Sequence, residues 1–260
     1  MSQPNGNIYE AEIAGLLDDI SSPDPLIRDG ESLGRLYEIL DSPAVSPAQR
    51  RRVGSTAVQR LADPRVEVRS FAALVLTPLI LHDAAEPGWF DDFATWYATE
   101  EETTGYDDVR GWLHAVAHGA DVLGAFGWMA RESPRPALDL AALRMLHQGP
   151  GIWRDQEDDR LGYALAITLA NPRLTPDDAL SWLDPLEEAF LRADSGPVPA
   201  FVSNSIRTLR VVQLLTDEKM SYQGRRVRVR HSTAVGQRIR DVLHLASPWM
   251  WNPAGASGQQ

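Results

Sequence analysis

Arg110, His114, His118 and Asp121 are the residues whose types and spacing could do chemistry. Positions three or four apart share one face of an α-helix. His114 and His118 stand four apart, and Asp121 follows three later. Neutral imidazole and carboxylate are ligands of zinc, iron and manganese. A carboxylate beside a histidine also orients a general base and fixes its tautomer. Arg110, one turn earlier, suits a carboxylate partner or an anionic substrate. Histidines hydrogen-bonded inside a core meet the same spacing, so three readings stand side by side: a metal centre, a metal-free polar pocket and a structural network. No Glu follows His114, so the zinc-protease pattern H-E-x-x-H is absent.

Other chemistries are excluded or displaced. The chain has no cysteine, which removes disulfides, thiolate ligands and thiol nucleophiles, so any metal would rest on imidazole and carboxylate. It has no Gly-rich phosphate loop, no G-x-S-x-G elbow and no dinucleotide fingerprint. His147 and the pair His82-Asp83 fall at expected helix C-termini, where a histidine interacts well with the helix dipole; His82-Asp83 is also a source for a third metal ligand. Net charge is −11, against the basic face that nucleic acid needs. The cations are almost all arginine, as in a GC-rich bacterium, and they gather from Arg225 to Arg240. The stretch 86–108 is rich in acids and has no Lys or Arg. The basic segment is suited either to phosphate or to that acidic stretch, in the same chain or a neighbouring one. No apolar run reaches the length of a membrane span and no secretory leader is visible, so a cytoplasmic protein is expected.

The elements that must position these residues read as helices. Apolar residues at helical spacing predict helices over Tyr9–Ile20, Leu26–Leu40, Pro47–Leu61 and from Pro64 to a kink at Pro78. Further helices are predicted over Trp89–Thr99, Val109–Arg131, Ala137–His147, Glu157–Leu169, Asp177–Arg192 and Phe201–Leu215. Val109–Arg131 is the longest and carries the polar stripe. It also carries four glycines, each costing about 1 kcal/mol against alanine, a cost that close approach of another backbone would explain. Thr175-Pro176 has the form of a cap followed by a first-turn proline. Alternation of Arg225, Arg226, Arg228 and Arg230 with Val227 and Val229 predicts a short strand. The fold class expected is all-α, a HEAT-like α-solenoid or an irregular helical array, as one domain over residues 1–252 with a disordered tail over 253–260.

Within this frame the segment Tyr106 to Asp121, YDDVRGWLHAVAHGAD, resembles the hallmark run of the bacterial domain of unknown function 2785 family. Arg69-Ser70-Phe71, Asp158-Asp159-Arg160-Leu161 and the helix Asn204 to Leu215 resemble further segments of that family in the same order, over roughly residues 30–220. The resemblance implies a HEAT-like helical fold and no established activity. It singles out Arg69, Ser70, Asp108, Arg110, His114, His118, Asp121, Asp159 and Arg160 together. If such positions converge on a concave solenoid surface, they form a pocket. The expected site then has His114, His118 and Asp121 as ligands of a divalent metal that activates water, Asp108 and Asp159 as base or further ligand, and Arg69, Ser70, Arg110 and Arg160 as contacts to a small anionic ligand. The rival expectation is a protein-interaction scaffold without chemistry, its partner a protein. His-Glu dipeptides of HEAT-type di-iron hydroxylases are absent.

Overall fold

The computed structural model describes residues 9–149, 151–192 and 196–251. Helices dominate it, beside two short antiparallel hairpins. Backbone contacts divide the chain into two compact units, up to Ala125 and from Phe126 onward, where the sequence leads one to expect a single domain over 1–252. The tail expected to be disordered, 253–260, lies outside the described residues.

The first unit contains α1 (Glu10–Asp19), α2 (Pro25–Arg28), α3 (Ser32–Asp41), α4 (Pro47–Arg60), α5 (Val66–Leu81), α6 (Trp89–Thr99), the strands β1 (Tyr106–Asp107) and β2 (Gly111–Trp112), and the start of α7 (Ala115–Met129). Local chemistry sets these bounds. Ser46 and Gln49 form a reciprocal capping box at α4, followed by Pro47 in the first turn. Asp24 caps α2 by accepting from the Leu26 N–H at 2.9 Å. The helix expected over Leu26–Leu40 is broken: α2 stops at Arg28, and Asp29-Gly30-Glu31 separate it from α3. Pro78 does not stop α5, which runs on to Leu81. A proline cannot donate to the carbonyl four residues back. Here that carbonyl, Leu74 O, instead accepts from the Tyr37 hydroxyl at 2.8 Å. Buried Phe71, Val75, Leu76 and Leu79 make α5 the core helix, with α3 and α4 packed on it.

The second unit contains α8 (Arg135–Met145), α9 (Glu157–Leu169), α10 (Pro176–Ser181), α11 (Asp184–Leu191), α12 (Ala200–Asp217), β3 (Met220–Tyr222), β4 (Arg225–Val227) and α13 (Ser232–Ala246). Its centre is α12, packed on α8, α9 and α13. Thr175 caps α10 as expected, accepting from the Asp178 N–H at 3.1 Å. The single helix expected over Asp177–Arg192 is two: the chain breaks at the buried Trp182 and Leu183 and restarts with Pro185 in the first turn of α11. The strand expected around Arg225 is the second arm of a hairpin. Its turn residues Gln223 and Gly224 have φ of 47° and 68°, as a two-residue turn between twisted strands requires. The basic segment, predicted only as a short strand around Arg225, goes on into the helix α13.

Candidate functional site

The expected helix over Val109–Arg131 begins six residues late, and this redraws the site. Asp107 Oδ1 accepts from the Val109 and Arg110 N–H groups at 2.9 and 2.8 Å, bending the chain into a turn. Gly111 (φ 72°) and His114 (φ 43°) both take left-handed conformations that no α-helix contains. Between them β2 pairs with β1. The first helical hydrogen bond of this segment runs from the His118 N–H to His114 O at 2.8 Å, so His114 stands at the cap of α7. Arg110 is therefore not on the helix stripe. It is exposed on the hairpin, with Glu102 at 3.4 Å and Asp107 at 3.6 Å. Asp108 is exposed beside it.

The hairpin is held by an ion pair, buried on its arginine side, that the sequence did not advertise. Arg28 is fully buried and its guanidinium lies 5.3 Å from the Phe71 ring centre. It donates to the carbonyls of Ser22, Arg110 and Trp112 and, at 3.0 Å, to Asp29 Oδ1. The other Asp29 oxygen accepts from the Trp112 N–H at 3.1 Å. A Cβ on Gly111 would lie 2.5 Å from Asp29 Oδ2 and 2.6 Å from Pro25 Cβ, so this close approach admits only glycine.

Inside the hairpin, Ser70 on α5 meets α7. Its Oγ donates to Leu113 O and lies 2.7 Å from His118 Nδ1. A carbonyl can only accept, and a hydroxyl has one proton. The imidazole must therefore donate from Nδ1, and in the neutral ring Nε2 is the unprotonated nitrogen. The Ser70 proton is already committed to a main-chain carbonyl, which leaves no serine nucleophile for His118 to activate. His118 is buried, with the Phe71 ring edge-on at 5.3 Å and the His114 ring at 5.6 Å. His114 itself is half-buried against Trp112, ring centres 4.5 Å apart. Asp121 lies almost one turn further along α7, half-buried. Among the described residues no three His, Asp or Glu side chains form a group that could hold a metal ion. His114 and His118 do meet, as their spacing suggested, in company with Ser70 rather than Arg110.

Arg69, one residue before Ser70, points elsewhere. Its guanidinium grips both oxygens of Glu100 at 2.7 and 2.8 Å and donates to the carbonyls of Asp63 and Pro64. Glu100 is buried and also accepts from the Trp96 indole at 2.7 Å and the Glu102 N–H at 3.0 Å. Burial pushes the Glu100 carboxyl up, but the hydrogen bonds from Arg69, Glu102 and Trp96 outweigh it and hold the group below the ordinary glutamate range. The Glu100 bond in turn raises the Arg69 guanidinium. This pair lines a cleft of about 740 Å³ formed by the end of α4, by α5 and by α6. Val58, Leu61, Ala62 and Trp96 give it apolar wall, and Asp63, Asp92, Glu100 and Glu101 give it carboxylates. Asp92 and Glu101 are exposed and make no ion pair among the described residues. Sequence reasoning found Arg69 and missed Glu100, which stands in a run of three glutamates with nothing to distinguish it.

Asp159 and Arg160 stand exposed on α9 of the second unit. Their neighbour Asp158 carries the structural load, paired with Arg207 of α12. Asn204 fixes the loop before α9, accepting from the Trp153 N–H at 3.0 Å and donating to Gly151 O at 3.1 Å. His82 caps the end of α5 and lies 2.8 Å from Asp41, and His147 follows the end of α8, both at helix C-termini as expected.

A family model described as "Protein of unknown function (DUF2785)" matches residues 56–215, from within α4 to within α12. No curated protein and no solved structure matches the chain.

Proposed function

Since the chain belongs to the DUF2785 family, whose description names no reaction, we propose that it is a non-catalytic binding protein of HEAT-like helical build whose α4–α5–α6 cleft takes a cationic ligand. Helices near in sequence pack in pairs in the first unit, α4 on α5 and, across the short α2, α1 on α3, which supports the HEAT-like reading. One observation carries the ligand class. Among the described residues the only guanidinium lining the cleft, that of Arg69, is already closed on Glu100, while Asp92 and Glu101 line it with carboxylates that make no ion pair. A low-dielectric wall focuses such a field and attracts the opposite charge. The ligand is accordingly a guanidinium or ammonium group with an apolar stem that lies along Trp96 and Leu61.

The alternative reading rests on His114, His118 and Asp121, with Asp108 or Asp159 as base, and binds a divalent metal or a small anion for hydrolysis. The geometry lends it no support, because the donors do not converge and the Ser70 proton is spoken for. Isothermal titration with a tetra-arginine peptide at about 50 mM salt tests the reading. Saturable binding is expected, weakened at least tenfold in Asp92→Ala/Glu101→Ala. Absence of binding, or binding indifferent to that double substitution, overturns it. Binding of tripolyphosphate in place of the peptide would favour the anionic alternative.

A further inference from the structure

The second unit carries a surface of the opposite kind. The β3–β4 ribbon and the residues after it present Arg225, Arg226, Arg228 and Arg230, all exposed, in a chain of net charge −11. Part of the basic segment is neutralised within its own unit: Arg238 of α13 is paired with Asp184 at 2.7 Å and Glu187 at 2.6 Å. The four ribbon arginines make no ion pair among the described residues. Nor is the ribbon a loose loop. Tyr163 OH bonds to Ser221 O at 2.5 Å, the Arg230 N–H bonds to Leu169 O at 3.0 Å, and Tyr222 packs edge-on against Trp128. Val229 is buried and Val227 half-buried, so the alternating Arg226, Arg228 and Arg230 project on the outer side.

From this we infer that the arginine ribbon of one copy docks in the acid-lined cleft of a second copy. The inference rests on the cationic-ligand reading of the cleft and names its partner. Charge complementarity is the argument: planar guanidinium forks on a pinned ribbon meet carboxylates that lack cations, in the geometry arginine favours. The contact is heterologous, so one copy of a pair keeps a free cleft and the other a free ribbon, and association runs past the dimer unless a ring closes. Overall charge opposes it. Copies of net charge −11 repel over distances that salt screens first, since the Debye length is about 10 Å at 0.1 M and about 3 Å at 1 M. Association is therefore strongest at moderate ionic strength and is lost at high ionic strength.

Sedimentation velocity on the full chain tests this at about 0.2 mM protein. In 0.1 M salt the weight-average mass rises above the 28.8 kDa of one chain, and in 1 M salt it returns to that value. Arg226→Glu/Arg228→Glu/Arg230→Glu abolishes association. Arg154→Glu/Arg173→Glu/Arg210→Glu changes net charge equally at exposed sites off the ribbon and retains it. Asp92→Arg/Glu101→Arg is the decisive variant. It reduces the net negative charge, so general repulsion predicts more association, whereas docking predicts none. Mixing the two reversed variants restores the contact, because the glutamate ribbon of one then faces the arginine cleft of the other, and the intact arginine ribbon of the second faces the intact acidic cleft of the first. A wild-type chain that stays monomeric in 0.1 M salt, or one whose association ignores the ribbon or the cleft substitution, overturns the inference. If tetra-arginine still binds the cleft while self-association fails, the ligand class survives and only the partner is wrong.

Discussion

Ser70 has one proton and two claimants, and the geometry gives it to Leu113 O. His118 then donates from Nδ1, so a single buried hydroxyl ties α5 both to the turn before α7 and to the helix itself. Ser70→Ala strands a carbonyl and a ring N–H in a buried place. Such groups cost about 1–3 kcal/mol when left without partners, and we expect a loss of that size in urea unfolding. Unchanged stability would mean the contact contributes nothing. Gly111 is the second sensitive position. Alanine there must hold a left-handed conformation, and its Cβ must displace Asp29 from its bond to Trp112. Backbone strain of this kind costs about 1–3 kcal/mol. Gly111→Ala is expected to destabilise by at least that amount and to move the Trp112 indole resonance in NMR spectra, while an unshifted resonance would show that the hairpin tolerates a side chain.

At the scale of elements, glycines in helices separate into two kinds with opposite expected signs. Gly15 in α1 and Gly34 in α3 face open space, and an added Cβ meets nothing within 4 Å. Replacing them by alanine gains helix propensity, roughly 0.5–1 kcal/mol each. At Gly119 in α7 the same Cβ would lie 2.2 Å from the Tyr97 ring, whose hydroxyl is anchored to Val116 O at 2.9 Å. Overpacking costs about 1–3 kcal/mol and outweighs the propensity gain. Thermal melts should therefore rise for Gly15→Ala and Gly34→Ala and fall for Gly119→Ala; a common sign would refute the distinction. The glycines of α7 lead one to expect another backbone close by; the nearest atoms are instead side chains, the Tyr97 ring at Gly119 and Thr168 at Gly127. Helices with a strong start signal were legible in the sequence. Ser46-Pro47 and Thr175-Pro176 mark α4 and α10, and the spans of α6 and α9 follow from periodicity alone. Val109 to His114 was misread because Val109, Trp112 and Val116 keep helical spacing by accident. An aspartate accepting two backbone N–H groups and two left-handed residues decide the local fold, and periodicity does not register them. The candidate site was legible only in part. His114 and His118 do meet, but the partners of Arg69 and of the hairpin, Glu100 and Arg28, come from 31 and 82 residues away, and no local pattern encodes them.

Over the whole molecule, acid is the condition that should tell these contacts apart from bulk charge. Glu100, Glu102 and Asp107 in the first unit and Glu187 in the second all lie below their ordinary ranges. Burial pushes Glu102 up, but Thr104 and Arg110 outweigh it. Asp107 is lowered by the Arg110 and Val109 N–H groups, and Glu187 by Arg238. A carboxylate lowered in the folded state contributes stability in full above its unfolded value, about 3.9 for Asp and about 4.3 for Glu. The unfolded chain takes up the proton first, so that contribution is lost as pH falls through the folded value. The net charge acts the other way at first: between pH 7 and the isoelectric point near 5.0, self-repulsion fades and stability gains. Stability should thus be flat or slightly rising from pH 7 to 5 and fall below about pH 4.3. In 1 M salt the rise should vanish, because distant charges are screened, while the fall should persist, because the Arg69–Glu100 pair is partly buried. Glu100→Gln isolates one contributor. The variant is less stable than the wild type at pH 7, and the gap closes as pH falls below about 4.3, since glutamine has no proton to take up. Urea midpoints at pH 7, 5, 4 and 3 measure that gap, and a gap that stays constant with pH would show that Glu100 stabilises by shape rather than by charge.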